Sequence, residues 1–226
     1  MVALGTVPLG PPLPALRGLR LEAAVPDRQL AVRIFHCLRT WLPVIHAMTA
    51  NSPFDRSVDT GYASWCFVQQ QRETLGMLAP RLWSVADHEH TADRVRQVTA
   101  TVSRAVPGWT VRPHPRDSGV QVRAGDVCLG VDDSVLVAAL VRAAVVAATQ
   151  DLEAGRSNPP VDLDLVYRAH WQAARQGLTG TLIDVRLGRE RPAWELVHEF
   201  FATVTPGLPG DVETALTYLA EHSIKG

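Results

Sequence analysis

The sequence predicts an α+β fold, an antiparallel sheet packed against helices with a helical C-terminal region. Two observations carry that expectation. Apolar and polar residues alternate with a period of two over Gly18 to Val25, and again over Trp109 to Arg112 and Gly119 to Ala124, as strands with one buried face require. Between and after these stretches lie longer apolar runs bounded by caps and breakers, as helices require.

In the first stretch Leu19 and Leu21 alternate with Arg20 and Glu22, so one face of the strand is apolar and the other carries a charge pair. Pro26-Asp27 then supplies a turn and an N-cap. Ala31 to Ala50 is apolar almost all round and contains Pro43, which predicts a central helix with a kink. Asn51 to Gly61 brings Asn, Ser, Pro and two Asp together, turn chemistry that predicts a loop facing a pocket. Val95, Val98, Val102 and Val106 recur at helical spacing and predict a helix over Thr91 to Val106.

Trp109 to Arg112 and Gly119 to Ala124 read as the two arms of a hairpin, with Val111, Val120, Val122 and Ala124 on the apolar side. The prolines at 113 and 115 keep the connection out of a central strand. Asp132-Asp133-Ser134 can cap an apolar helix that starts at Val135, and Gly155 to Pro160 ends it before another helix over Leu163 to Arg175. Pro192 suits the first position of a helix through Val204, and Asp211 precedes a last amphipathic stretch that ends near Leu219.

The bulk numbers narrow the function. A chain of 226 residues with 46% apolar residues can bury a sizeable core and fits one domain over 1–226. Its 22 basic and 23 acidic side chains nearly cancel without forming runs, which points away from nucleic acid and anionic membranes and towards small-molecule substrates. Cys37, Cys66 and Cys128 are odd in number and widely spaced, so a reducing cytoplasm is expected rather than a disulfide framework. Met1 to Leu16 carries four prolines and no early basic residue, unlike a signal peptide, and Val135 to Ala148 is too short to span a bilayer.

The chemistry concentrates on the polar side of the strands. Arg112, Gln121 and Arg123 would project together, with Arg116 on the loop that joins their strands. Guanidinium forks match carboxylate and phosphate oxygens, so the row is a candidate anion site. The plainer reading is a solvent-facing row paired with Asp117 or Asp126. Asp87-His88-Glu89-His90 places two imidazoles on one side of a strand, a possible start of a zinc site, although a solvated loop is the stronger reading. His36 and His46 read as core or boundary residues, His114 as positional in a rigid loop, and Cys66 as an inert buried thiol.

Three blocks then resemble bacterial carboxylate–amine ligases of the glutamate–cysteine ligase type, in order and in spacing. They are Ala50-Asn51-Ser52-Pro53-Phe54, Asp59-Thr60-Gly61-Tyr62-Ala63-Ser64 and Val111-Arg112-Pro113-His114-Pro115-Arg116. The likeness runs from Val25 to about Leu219 and includes Val131-Asp132-Asp133 and Trp171-Gln172-Ala173-Ala174-Arg175-Gln176-Gly177-Leu178. It implies the later part of a domain built on an antiparallel sheet of the glutamine-synthetase catalytic type. ATP with Mg²⁺ would phosphorylate the glutamate side-chain carboxylate, and an amine would displace the phosphate. By that resemblance Arg112, Arg116 and Arg123 are the catalytic candidates, and Asn51, Thr60, Tyr62, Ser64 and His114 the substrate- or nucleotide-binding ones. Glu22 and Gln121 are weak candidates for the metal.

The sequence also departs from the family pattern. Arg20-Leu21-Glu22 stands where a His-Val-His strand is expected, Gln121 where a Glu is expected, and Cys66 where a Ser-Tyr-Arg block would end in arginine. The acidic opening strands have no counterpart before Val2 to Thr6, so a single truncated domain is expected, in a homo- or hetero-oligomer if a partner completes the site. Two functions are therefore expected to compete: an ATP-dependent ligase, or a catalytically inactive homologue that acts as a ligand-binding or partner subunit.

Overall fold

The computed structural model describes residues 18–73, 82, 84–102, 110–114, 117–156 and 160–207. Strand β1 (Leu19–Ala24) leads through Asp27 into helix α1 (Arg28–Leu38), and the Asp27 carboxylate accepts the Leu30 N–H at 2.8 Å. Helix α2 (Leu42–Thr49) follows after a break at Arg39 to Trp41. The expected single kinked helix is thus two helices. Pro43 lies in the first turn of the second, where a residue without an N–H forfeits no bond, rather than bending one long helix.

Beyond α2 the Asn51 to Gly61 segment folds back as a short hairpin, β2 (Phe54–Asp55) with β3 (Val58–Asp59), and α3 (Trp65–Glu73) and α4 (Val85–Val102) come next. Helix α4 starts before the predicted Thr91 and takes in Asp87 to His90. Two residues apart on a helix point to opposite sides, so His88 is buried and His90 exposed, and neither the strand nor the loop reading of that segment holds. Glu89 instead pairs with Arg28 at 2.9 Å.

Strands β4 (Val111–Pro113) and β5 (Gly119–Gly125) form the expected hairpin, and β1 pairs with the other side of β5, giving an antiparallel sheet in the order β1-β5-β4. Pro113 sits on the edge strand, where no ladder N–H is needed. Helix α5 (Val131–Glu153) starts earlier than Val135. Its N-cap is Gly130, and Asp132 and Asp133 lie in its first turn, where negative charge suits the helix dipole. Helix α6 (Leu163–Gln176), the hairpin β6 (Thr181–Asp184) with β7 (Arg189–Pro192), and helix α7 (Ala193–Val204) complete the described chain, with Pro192 as N-cap of α7. The stretch expected after Asp211 lies outside the described residues.

The apolar face of the three-stranded sheet carries Leu21, Val111, Val120, Val122 and Ala124, all buried, and packs on α1, α2 and α5. Each buried Val or Leu there contributes about 1.5–3 kcal/mol of transfer free energy, which pins the strand register. That register leaves the opposite face to Arg20, Glu22, Gln121, Arg123 and Arg112. Among the described residues no helix is long and apolar enough to cross a membrane.

Candidate functional site

The polar face is two rows deep. In one row Glu22, Gln121 and Arg112 are cross-strand neighbours, and in the next Arg20 faces Arg123. The first row is hydrogen-bonded end to end: Arg112 Nε donates to Gln121 Oε1 at 2.7 Å, and Gln121 Nε2 donates to Glu22 Oε1 at 2.6 Å. Gln121 is only 8% exposed, so its amide is well shielded from water. His114 closes the Glu22 end, with Nε2 3.7 Å from Glu22 Oε2 and Nδ1 accepting the Asp117 N–H at 2.9 Å.

The second row is electrostatically different. Burial, followed by the like charges of Arg20 and Arg112, lowers the pKa of Arg123 to about 10, while Cys66 acts in the opposite direction. Arg123 reaches Gln70 Oε1 of α3 at 3.4 Å. Three guanidiniums therefore share one face, and the charges of Arg20 and Arg112 bear on Arg123. Arg20 was not expected among them, because its membership depends on its pairing with Arg123, far away in sequence.

Arg123 also borders a small hollow of about 20 Å³ lined by Thr110, Gln70, Asp126, His46 and His170, with room for about one water. His46 and His170 are both buried, their Nδ1 atoms 3.3 Å apart, and Phe67 packs against both rings. Burial lowers the pKa of His46 to about 4, with Asp126 opposing, and holds His170 well below its ordinary value, with His46 adding to the effect. The pair is neutral, and its Nε2 atoms are buried without a protein partner. Sequence reading placed His46 in the core but missed His170, since 124 residues separate the two.

Several motif residues are occupied in holding the scaffold. Buried Asp126 accepts the Asn51 N–H at 2.9 Å, the Ser52 hydroxyl at 2.7 Å and the Ser64 hydroxyl at 2.8 Å, which fastens the 51–64 loop to the end of β5. Asn51 Nδ2 donates to the Val127 carbonyl at 2.8 Å. Thr60 donates to the Pro53 carbonyl at 2.8 Å, and Tyr62 packs against Trp65 and Trp171 with Arg175 over its ring. Gly125, with φ 145°, ends β5 where a Cβ would lie 2.0 Å from Thr49 Oγ1, so only glycine fits. Arg112, Arg123, Gln121, Glu22 and His114 are thus brought together, whereas Asn51, Thr60, Tyr62 and Ser64 belong to the adjoining loop. Arg116 lies outside the described residues.

The donor set does not suit Mg²⁺. A hard cation needs several free anionic oxygens, yet Gln121 Oε1 already accepts from Arg112 and Glu22 Oε1 from Gln121. Among the described residues no three His, Cys, Asp or Glu side chains stand together as a potential metal site. The larger cavity, about 240 Å³ between α1, α5 and α7, is lined by Trp41, Ala144, Ala148 and Arg186 and has no part in this face.

Residues 13–219 match the model of the family described as glutamate-cysteine ligase family 2. A protein of Salinispora arenicola, provisionally named glutamate–cysteine ligase 2, is 44% identical over 195 residues, covering 86% of this chain and 52% of the relative. A protein of the same provisional name from Salinispora tropica is 43% identical over 215 residues, covering 94% and 57%. One of Nocardia farcinica, provisionally named glutamate–cysteine ligase 2-1, is 36% identical over 209 residues, covering 90% and 55%. The chain spans about half the length of these relatives. With most of its residues inside the family match, the chain belongs to glutamate-cysteine ligase family 2.

Proposed function

We propose that the chain, taken as one domain of the glutamine-synthetase type, acts in an ATP-dependent carboxylate–amine ligase reaction of the glutamate–cysteine kind. The observation that supports this reading is the convergence of Arg20, Arg112 and Arg123 on one sheet face in a member of this family. In the proposed reaction a carboxylate oxygen attacks the γ-phosphorus of ATP and ADP leaves. The amine nitrogen then attacks the acyl carbon, the C–N bond forms, the C–O bond to phosphate breaks, and the amine gives up a proton. Guanidiniums preset on rigid strands stabilise charge on the transferring phosphoryl group without reorganising. Arg112, Arg116 and Arg123 would clamp phosphoryl or carboxylate oxygens. Asn51, Thr60, Tyr62, Ser64 and His114 would shape the substrate side, and Glu22 and Gln121 would fix Arg112.

The test is phosphate release by the purified chain with ATP, Mg²⁺, glutamate and cysteine, together with calorimetric titration of ATP. Amide formation that disappears in Arg112→Ala supports the ligase; failure to bind ATP at any workable concentration rejects it. A second reading, a catalytically silent homologue that binds a ligand or a ligase subunit, is favoured by the engagement of Gln121 with Glu22 and Arg112 at a metal-ligand position. ATP binding without product would select it.

A further inference from the structure

Resting on the reading that the polar sheet face receives phosphoryl groups, we propose that it binds a diphosphate or triphosphate chain directly, with no divalent cation between protein and phosphate. The Arg20 guanidinium supplies positive charge that a bound metal would otherwise bring.

Arg20 and Arg123 face each other on adjacent strands about 5 Å apart, and Arg112 stands across β5 beside Gln121, two residues along the strand from Arg123. Three donor forks at these positions cover a patch longer than a single phosphate, which suits two or three linked phosphates. The oxygens that could hold a metal are otherwise engaged: the Gln121 amide bridges Arg112 and Glu22, and the second Glu22 oxygen lies 3.7 Å from His114. A divalent ion at Glu22 would also meet the Arg20 and Arg123 charges one row away. A polyanion meets the opposite situation, because it relieves the repulsion among the guanidiniums as it binds.

The experiment is calorimetric titration of the EDTA-treated full chain with pyrophosphate and with ATP, repeated with Mg²⁺ present. The expected result is binding in EDTA that Mg²⁺ leaves within about twofold or weakens. Arg20→Gln should weaken binding in EDTA by about tenfold or more, while Arg189→Gln on the exposed β7 strand leaves it unchanged. Urea midpoints confirm that the variants are folded. Binding that needs Mg²⁺ overturns the inference and leaves the ligase reading standing. Absence of binding in both conditions overturns both. Binding in EDTA that survives Arg20→Gln and Arg123→Gln places the anion elsewhere and also overturns it.

Discussion

Arg186 and Arg191 at the β6–β7 hairpin are surrounded by carboxylates, whereas Arg20, Arg112 and Arg123 on the three-stranded sheet are set against one another. At the hairpin the buried Asp184 carboxylate takes both arginines at 2.9 Å, and Glu199 takes them at 2.6 and 2.7 Å. Hydrogen bonding to Glu199, and then to Asp184, raises the pKa of Arg186, while burial and like charge lower that of Arg123 to about 10. Arg186 also stacks over Trp41 at 4.5 Å. Guanidiniums bonded in this way act as structural bolts, because Asp184 and Glu199 each hold both of them inside the protein. Guanidiniums that repel one another work against folding, and their persistence on a rigid sheet is best understood through an anion from outside.

The largest expected effect breaks the hairpin cluster. Asp184→Ala leaves two guanidiniums without the buried one of their two shared acceptors and should lower stability by about 3 kcal/mol in urea unfolding. A value under about 1 kcal/mol would mean that the hairpin is no bolt.

Acid should separate the two regions next. The unfolded His46 and His170 take up protons as the pH falls below about 6.5, but folded His46 resists until about 4 and folded His170 is likewise held well below its ordinary value, so the stability they contribute is complete above about 6.5 and declines as the pH falls below it. The slope is at most about 1.4 kcal/mol per pH unit for each imidazole. At the hairpin, burial pushes the Asp184 carboxyl up, but bonds from Arg186 and Arg191 outweigh it and hold the group below its ordinary value, as Arg186 does for Glu199. Stability from these depressed carboxylates is present above about pH 4 and is lost only below it. Urea midpoints measured across pH should therefore fall in two phases, and Asp184→Ala should shrink only the lower one, to the part that Glu199 contributes.

Arg123→Gln should leave stability unchanged or raise it by up to about 1 kcal/mol while abolishing anion binding, the reverse of what Arg186→Gln does to folding. Matching losses from both variants in urea would erase the distinction. The smallest effect belongs to Arg20→Gln, within about 0.5 kcal/mol at an exposed position, with the Arg123 pKa moving upward in carbon-13 NMR titration.

The polar face was legible because period-two alternation fixes which side chains share a face, and Arg112, Gln121 and Arg123 fall on it in both readings. The Asp27 cap and the edge position of Pro113 were legible for equally local reasons. Features that depend on distant pairing were not: Arg20 beside Arg123, His46 beside His170, and Asp126 as anchor of the Asn51 and Ser64 loop. Helix α3 and the β6–β7 hairpin were missed because their polar residues blur the apolar period. Glu195 and Glu199, one helical turn apart, were the available hint of a charged stripe waiting for Arg191.

Gln121 works as an adaptor between opposite charges, its oxygen turned to Arg112 and its nitrogen to Glu22. Replacing that nitrogen with oxygen, as in Gln121→Glu, would set two carboxylates side by side across neighbouring strands. They would repel until a proton or a divalent ion came between them, so a single-atom exchange would convert a shelf for phosphates into a trap for cations.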